Sequence, residues 1–289
     1  MPHSSLASPS ATRAVLAAHG LQPKKSLSQH FLIDDNIVGK ILELARIQPG
    51  DAVLEVGPGI GTLTVALCPV AGHVIALERD RALLPALEDA TASCANLTIV
   101  MGDAVAVSPD RLLTPLGPPV ALVANLPYSV AATVVLRFFE SIPSLSSATV
   151  MVQSEVADRM AASPGGKEYG AYTVKLRLRA RPAGRFQVAR GCFVPPPRVD
   201  SAVLRLERVV DGVPPELARA ASLVATAAFS QRRKTLRNSL LASARWQKTL
   251  LDEALEVAGI DGGRRAETLS IEEYVRLARE LQLGGVRGD

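Results

Sequence analysis

Val53-Leu54-Glu55-Val56-Gly57-Pro58-Gly59-Ile60-Gly61-Thr62 is the stretch on which the reading of this chain turns. It opens on a short apolar run with β-branched residues, the composition of a buried parallel strand. Three glycines at alternate positions follow, and a helix signal runs from Thr62 to Val70. Glycine is needed where a backbone turns sharply after a strand and approaches a ligand with no Cβ in the way. The free N–H groups of a helix start favour negative charge nearby. A strand, a glycine turn and a helix in this order cradle a nucleotide-like ligand.

The spacing narrows the ligand. A dinucleotide fingerprint reads G-x-G-x-x-G, whereas Gly57, Gly59 and Gly61 give G-x-G-x-G, one residue short at the last step. Glu55 precedes the first glycine by two positions. With no phosphate to repel it, a carboxylate there can face a cationic or amino-bearing ligand. The pattern E-x-G-x-G-x-G resembles motif I of S-adenosylmethionine (SAM) methyltransferases. Taken alone it leaves a NAD site or a ligand-free glycine turn as alternatives.

The remaining sequence sets the frame. A chain of 289 residues, 48% hydrophobic and 21% charged, accommodates one large domain and a smaller one. No apolar run approaches the ~20 residues of a membrane span, and Ala14-Val15-Leu16-Ala17-Ala18 is too short for a signal-peptide core. A cytoplasmic, membrane-free protein is expected. Cys68, Cys94 and Cys192 are isolated, and His3, His19, His30 and His73 show no ligand pairing, so no metal is expected. A net charge of +4 is a weak pointer to an anionic partner.

Along the chain, a short helix over Thr12–His19 ends at Gly20, and Pro23–Leu32 is a basic irregular segment. Asp34 or Asp35 caps a helix reaching about Ile47. Strands over 52–56, 74–77, 97–100, 120–124 and 149–152 then alternate with helices over 62–70, 82–92, 131–140 and 155–162. That rhythm predicts an α/β fold, a doubly wound, mostly parallel Rossmann-like sheet. Pro164-Gly165-Gly166 interrupts it. Thr173–Ala180 alternates, with Val174, Leu176 and Leu178 opposite Lys175, Arg177 and Arg179, and reads as a strand. Ser201–Leu206 reads as a second late strand, so an antiparallel pair is expected at the end of the sheet. Val209–Pro215 reads as a linker, followed by helices over 216–229, 233–241, 248–258 and 271–281. The predicted domains are residues 1–208 for the sheet and 209–289 for a small all-helical unit.

Chemistry concentrates after the strands. Glu78, 21 residues beyond Gly57, ends the second strand and can accept from ribose hydroxyls; its bland reading is a surface charge cluster with Arg79, Asp80 and Arg81. Asp103, after the third strand, can accept from an adenine amino group, although Gly-Asp is common in turns. Asn125-Leu126-Pro127-Tyr128 follows the fourth strand. An adenine N6 is a poor nucleophile because its lone pair is delocalised into the ring. The Asn125 side-chain oxygen and the Leu126 carbonyl, held by Pro127, can accept both N–H bonds and draw the nitrogen toward tetrahedral geometry. Tyr128 offers a ring for the extruded base. No strong base is required, in line with the lack of a catalytic histidine. Apart from its position, the same tetrapeptide would read as an Asn-Pro turn packed by a tyrosine.

Charge forms the last layer. From Ala171 to Val210 nine basic residues face Asp200 and Glu207, a net +7. Arg232, Arg233, Lys234 and Arg237 cluster at a predicted helix start. Such runs are usually solvated faces; beside a base-modifying site they suggest phosphate contact.

Further motifs fit one family. Ser28-Gln29-His30-Phe31-Leu32, Glu55–Thr64, Glu78-Arg79-Asp80, Gly102-Asp103-Ala104 and Asn125–Tyr128 resemble the rRNA adenine dimethyltransferases. Phe193–Ala202, Phe229–Asn238 and Arg265–Ser270 resemble its KsgA-type small-subunit (16S) branch more than the macrolide-resistance (Erm) branch. The resemblance spans about Pro23 to Leu281. It implies N6-dimethylation of two adjacent adenosines near the 3′ end of 16S rRNA in a pre-30S particle, using four SAM molecules, by a monomer. Carried over by motif, His30, Leu32, Gly57, Gly59, Glu78, Asp103 and Asn125 would contact SAM, and Asn125, Leu126, Pro127 and Tyr128 would be catalytic. From the charge clusters rather than the resemblance, Lys175, Arg177, Arg179, Arg232, Arg233, Lys234 and Arg237 are expected to meet RNA. Ser28 stands where family members usually have Gly, and His30 where they often have Asn. An Erm-type enzyme acting on large-subunit rRNA and a non-catalytic assembly factor are the rival readings.

Overall fold

Ala52–Val56 (β2) buries every one of its five residues, Glu55 included, which places it in the middle of a sheet covered on both faces. The structure is a computed structural model describing residues 4–24, 27–210 and 212–286. Lys25 and Ser26 of the basic segment, Asp211 of the linker, His3 and the last three residues lie outside them.

Packing divides the chain into Met1–Ala157 with Pro182–Arg208, and Asp158–Arg181 with Val209–Asp289. In the first unit, β3 (His73–Glu78), β4 (Leu97–Met101), β5 (Ala121–Asn125), β6 (Ser147–Gln153), β7 (Ala180–Val188) and β9 (Ser201–Arg208) join β2 in the order β4-β3-β2-β5-β6-β9-β7. The pairs β2–β3, β3–β4, β2–β5 and β5–β6 are parallel, and β6–β9 is antiparallel. Strand order reverses between β2 and β5, so a crevice opens beyond their carboxyl ends. A separate two-stranded ladder pairs β1 (Phe31–Leu32) with β8 (Phe193–Val194), antiparallel, with Phe31 opposite Val194. Helices α1 (Pro9–Ala18), α2 (Asp35–Ala45), α3 (Thr64–Leu67), α4 (Leu84–Ala90), α5 (Ala131–Ser141) and α6 (Ser154–Ala161) accompany these strands. Asp34 caps α2, accepting from Asn36 N and Ile37 N at 3.0 and 3.3 Å.

The second unit is helical: α7 (Ala171–Arg177), α8 (Pro215–Ala228), α9 (Leu236–Ala242), α10 (Lys248–Val257) and α11 (Ile271–Val286). The strand read over Thr173–Ala180 is corrected here. Its first part is α7, and the strand β7 begins at Ala180. Val174 and Leu178 are also one helical turn apart, and both enter the core formed by Leu217, Ala221, Leu255 and Tyr274. Lys175, Arg177 and Arg179 therefore do not share a strand face. The tertiary core overrode a short alternation that fits either period. Arg232, Arg233 and Lys234 precede the helix rather than begin it: Thr235 is the N-cap of α9 and accepts from Asn238 N at 3.4 Å.

Two of the nine cations counted between 171 and 210 serve the scaffold. Arg205 donates to the Leu44 carbonyl at 3.2 Å and to that of Ala45, closing the end of α2. Arg208 donates to the carbonyls of Leu145, Phe139 and Ile142 at 2.7, 3.0 and 2.9 Å, closing the end of α5. Orphan carbonyls at helix ends need such donors. Among the described residues, no helix is long and apolar enough to cross a membrane, and no cluster of His, Cys, Asp or Glu could hold a metal ion.

Candidate active site

The glycines after β2 take the backbone that only glycine takes readily: φ is +70° at Gly57, +63° at Gly59 and +91° at Gly61. A Cβ on Gly59 would stand 3.2 Å from the Phe31 ring. The loop thus lies directly on β1, and a branched side chain there would have to push the two apart. Helix α3 behind the loop is only four residues long, so the loop itself shapes the site.

Glu78 closes the loop from β3. Its Oε1 accepts from Arg79 N and Asp80 N at 2.8 and 2.7 Å, and its Oε2 from Gly59 N at 3.2 Å. Burial pushes its pKa up; the N–H groups of Asp80, Gly59 and Arg79 oppose that shift. Oε2 keeps a lone pair for a ligand hydroxyl. Beneath, Glu55 is 1% exposed, and Thr64 donates to its Oε2 at 2.7 Å. Burial raises the Glu55 pKa to about 8, with the Thr64 hydroxyl lowering it and the nearby Glu78 raising it. Near neutral pH Glu55 is therefore largely a neutral acid, a point the sequence reading of a free carboxylate lacked. Thr62, which lines the same cleft as Glu55 and Glu78, has a buried Oγ1 with no hydrogen-bond partner.

Asn125 ends β5. Its Nδ2 donates to the His30 carbonyl at 3.1 Å, which leaves the amide oxygen as the acceptor end of the side chain. Leu126 is buried and held by its N–H to the Met151 carbonyl at 3.1 Å. A single cleft is lined by His30, Leu32, Glu55, Gly57, Gly59, Glu78, Asn125, Leu126 and Pro127. It contains the glycine loop and the start of the Asn125–Tyr128 motif, which the sequence reading had joined only by their order along the chain. Asp103 lies outside this lining; its Oδ1 accepts from Val105 N at 2.9 Å and its Oδ2 pairs with Arg79 Nη1 at 3.2 Å.

Tyr128 opens on a second cleft of about 510 Å³, shared with Ser28, His30, Gln153, Pro195–Pro197 and Arg198. Its hydroxyl lies 2.5 Å from Ser201 Oγ, and its ring stacks on that of His30, centroids 5.6 Å apart with an interplanar angle of 23°. Burial raises the Tyr128 pKa, opposed by the Ser201 bond. Sequence reasoning missed Ser201, Phe31 and the latch made by Lys24 Nζ and Gln29 Nε2, which donate to Asp80 at 2.8 and 2.9 Å. Each contact spans a long stretch of chain or arises from side-chain packing, and periodicity carries no such signal; the only sequence signal was the presence of Gln29, Phe31, Asp80 and Ser201 in the quoted family motifs.

In the helical unit, Arg232, Arg233 and Lys234 are exposed and line a cavity of about 680 Å³ with Arg159, Lys167 and Arg265. Among the described residues, no ion pair holds these three side chains. Arg237 differs: it makes a two-pronged pair with Asp252 at 2.6 and 2.8 Å. Lys175, Arg177 and Arg179 are half-buried on α7 and beyond its end.

Residues 20–283 match the family described as ribosomal RNA adenine dimethylase. A ribosomal RNA small subunit methyltransferase A from Moorella thermoacetica is 44% identical over 286 residues, covering 96% of this chain and 99% of that protein. The protein of that name from Pelotomaculum thermopropionicum is 43% identical, covering 97% and 99%. Among solved structures, a dimethyladenosine transferase from Plasmodium falciparum superposes with a TM-score of 0.74 at 25% identity, covering 89% of this chain and 98% of that one. The 23S rRNA methyltransferase ErmE gives 0.66 at 26%, covering 87% and 99%.

Proposed function

This chain belongs to the ribosomal RNA adenine dimethylase family, and from that premise we propose that it dimethylates N6 of two adjacent adenosines near the 3′ end of small-subunit (16S) rRNA, in the precursor of the 30S particle. It is an rRNA adenine methyltransferase whose methyl donor is SAM. Four donor molecules per target pair, a cytoplasmic location and a monomeric state belong to the proposal.

The loop fits that donor. Gly57 and Gly59 leave backbone bare where a ligand must come close, and Glu78 Oε2 offers an acceptor to ribose hydroxyls. The unpartnered Thr62 hydroxyl and the protonatable Glu55 lie under the same loop. When bound, SAM supplies an electrophilic methyl group on a sulfonium. Asn125 Oδ1 and the Leu126 carbonyl accept the N6 hydrogens, orient the nitrogen lone pair and support the positive charge that develops there. Tyr128 gives the extruded base a face to stack on. His30 and Leu32 shape the near wall, and Asp103, paired at 3.2 Å with Arg79 of the cleft lining, is the proposed acceptor for the adenine amino group of the donor.

One observation carries this assignment: Asn125 lines the cleft with its Nδ2 committed to the His30 carbonyl, so the oxygen is its acceptor for a ligand. The helical unit, 209–289 with 158–181, is proposed as the rRNA-binding part, through Arg232, Arg233 and Lys234. The small-subunit target is favoured over a large-subunit one by the relatives of 44% and 43% identity. Primer extension on both rRNAs, taken from ribosomes treated with enzyme and SAM, tests it. Stops at two adjacent adenosines near the 3′ end of the small-subunit rRNA are expected; stops only in the large-subunit rRNA would overturn the target.

A further inference from the structure

The Tyr128 side chain is held from two directions, by Ser201 and by His30, neither of which has been given a role toward Tyr128. The register of β6 against β9 places Ser201 opposite Gln153, at the same sheet end as Asn125, which is opposite Met151 in the β5–β6 pair. From there the fully buried Ser201 Oγ meets the Tyr128 hydroxyl at 2.5 Å. The other direction is His30, whose ring stacks on the Tyr128 ring at 5.6 Å. His30 is itself fixed. Its Nδ1 lies 2.7 Å from the Pro195 carbonyl, and since a carbonyl can only accept, Nδ1 carries the hydrogen. Its own carbonyl holds Asn125 Nδ2, and the next residue, Phe31, is zipped to Val194 by the β1–β8 ladder.

We infer that His30 and Ser201 are positioning residues that hold the Tyr128 ring at the orientation in which it receives the target base. Neither is assigned a contact with the reacting atoms; both act through Tyr128. A stacking platform is useful only if its plane is set before the base arrives, because a ring that rotates freely forfeits ordering on every encounter. The inference rests on the proposed role of Asn125–Tyr128.

The test is a double-mutant cycle in single-turnover methylation of small ribosomal subunits that lack the modification. Ser201→Ala and Tyr128→Phe break one hydrogen bond from its two ends, so either serves if the other folds poorly. Each should slow methylation on the order of 5- to 10-fold, as removing one hydrogen bond does, and the double variant should be no slower than either. His30→Ala should slow turnover, and His30→Phe, which keeps the stacked ring, should restore part of the rate. SAM affinity by calorimetry should stay at the wild-type value in Ser201→Ala and Tyr128→Phe; His30 also lines the donor cleft, so its two variants are compared with each other, by the rate that the ring restores. Effects of Ser201→Ala and Tyr128→Phe that multiply, or a fall in SAM affinity in either of these two that tracks the rate, would overturn the inference. Failure of the underlying reading is distinguishable: Tyr128→Ala would then methylate as fast as wild type.

Discussion

Glu55 shows what a single residue in this site contributes and what it costs. Its carboxyl, ordinarily near 4.5, is raised by burial to about 8. The sign follows from proton linkage. Between these two values the folded protein binds more protons than the unfolded chain, so stability falls as pH rises. The contribution is fully present below about 4.5, is lost as pH climbs toward about 8, and changes no further above that. Melting temperature should therefore decline from about pH 5 to about pH 8 less steeply in Glu55→Gln than in wild type; parallel curves would contradict the assignment of a buried neutral acid. Gly57, Gly59, Gly61, Glu78 and Asn125 were legible because glycine, acid and amide each have a local signature after a strand. The stacking of His30 on Tyr128 was not, since nothing in the sequence announces a bond from residue 30 to residue 195.

Elements carry their own strain. Ser28 has φ +52° in the turn ahead of β1, a left-handed conformation that costs a non-glycine residue about 1 kcal/mol. It is also the position where the family resemblance leads one to expect glycine. Ser28→Gly should relieve part of that cost, by at most about 1 kcal/mol after the added freedom of the unfolded chain is discounted. Thermal unfolding checks it, and a clear loss of stability would mean that the Ser28 side chain serves the turn. Most strands were legible from apolar runs bounded by Gly and Pro, and β2, β3 and β4 start or end within a residue or so of their expected places. α7 was not legible. Its alternation spans too few residues to separate a period of 2 from 3.6, and the core of the helical unit made the choice.

At the scale of the whole molecule, charge counted along the chain overstates charge available to a partner. Arg205 and Arg208 end helices, and Arg237 is bound to Asp252. Arg232, Arg233 and Lys234 remain as exposed cations around one cavity. Replacing Arg232 and Arg233 by Gln should weaken binding to the small-subunit particle and flatten the slope of log affinity against log salt by roughly 0.7–0.9 for each phosphate no longer neutralised. SAM affinity should not change. Superimposed salt plots for wild type and double variant would make this cluster a solvated face. The helical character of the chain beyond Pro214-Pro215 was legible from the change of period there. That 158–181 packs with the later helices was not, because it depends on packing between segments far apart in the chain.

The central claim is that methyl transfer to adenine N6 occurs where Asn125 presents its oxygen. Single-turnover methylation of unmodified small subunits with isotope-labelled SAM, read as dimethyladenosine by nucleoside mass spectrometry, tests it most directly. Wild type should yield labelled dimethyladenosine, and Asn125→Ala should do so on the order of 10²–10³ more slowly, with particle binding retained. Labelled dimethyladenosine formed by Asn125→Ala at the wild-type rate would contradict the account.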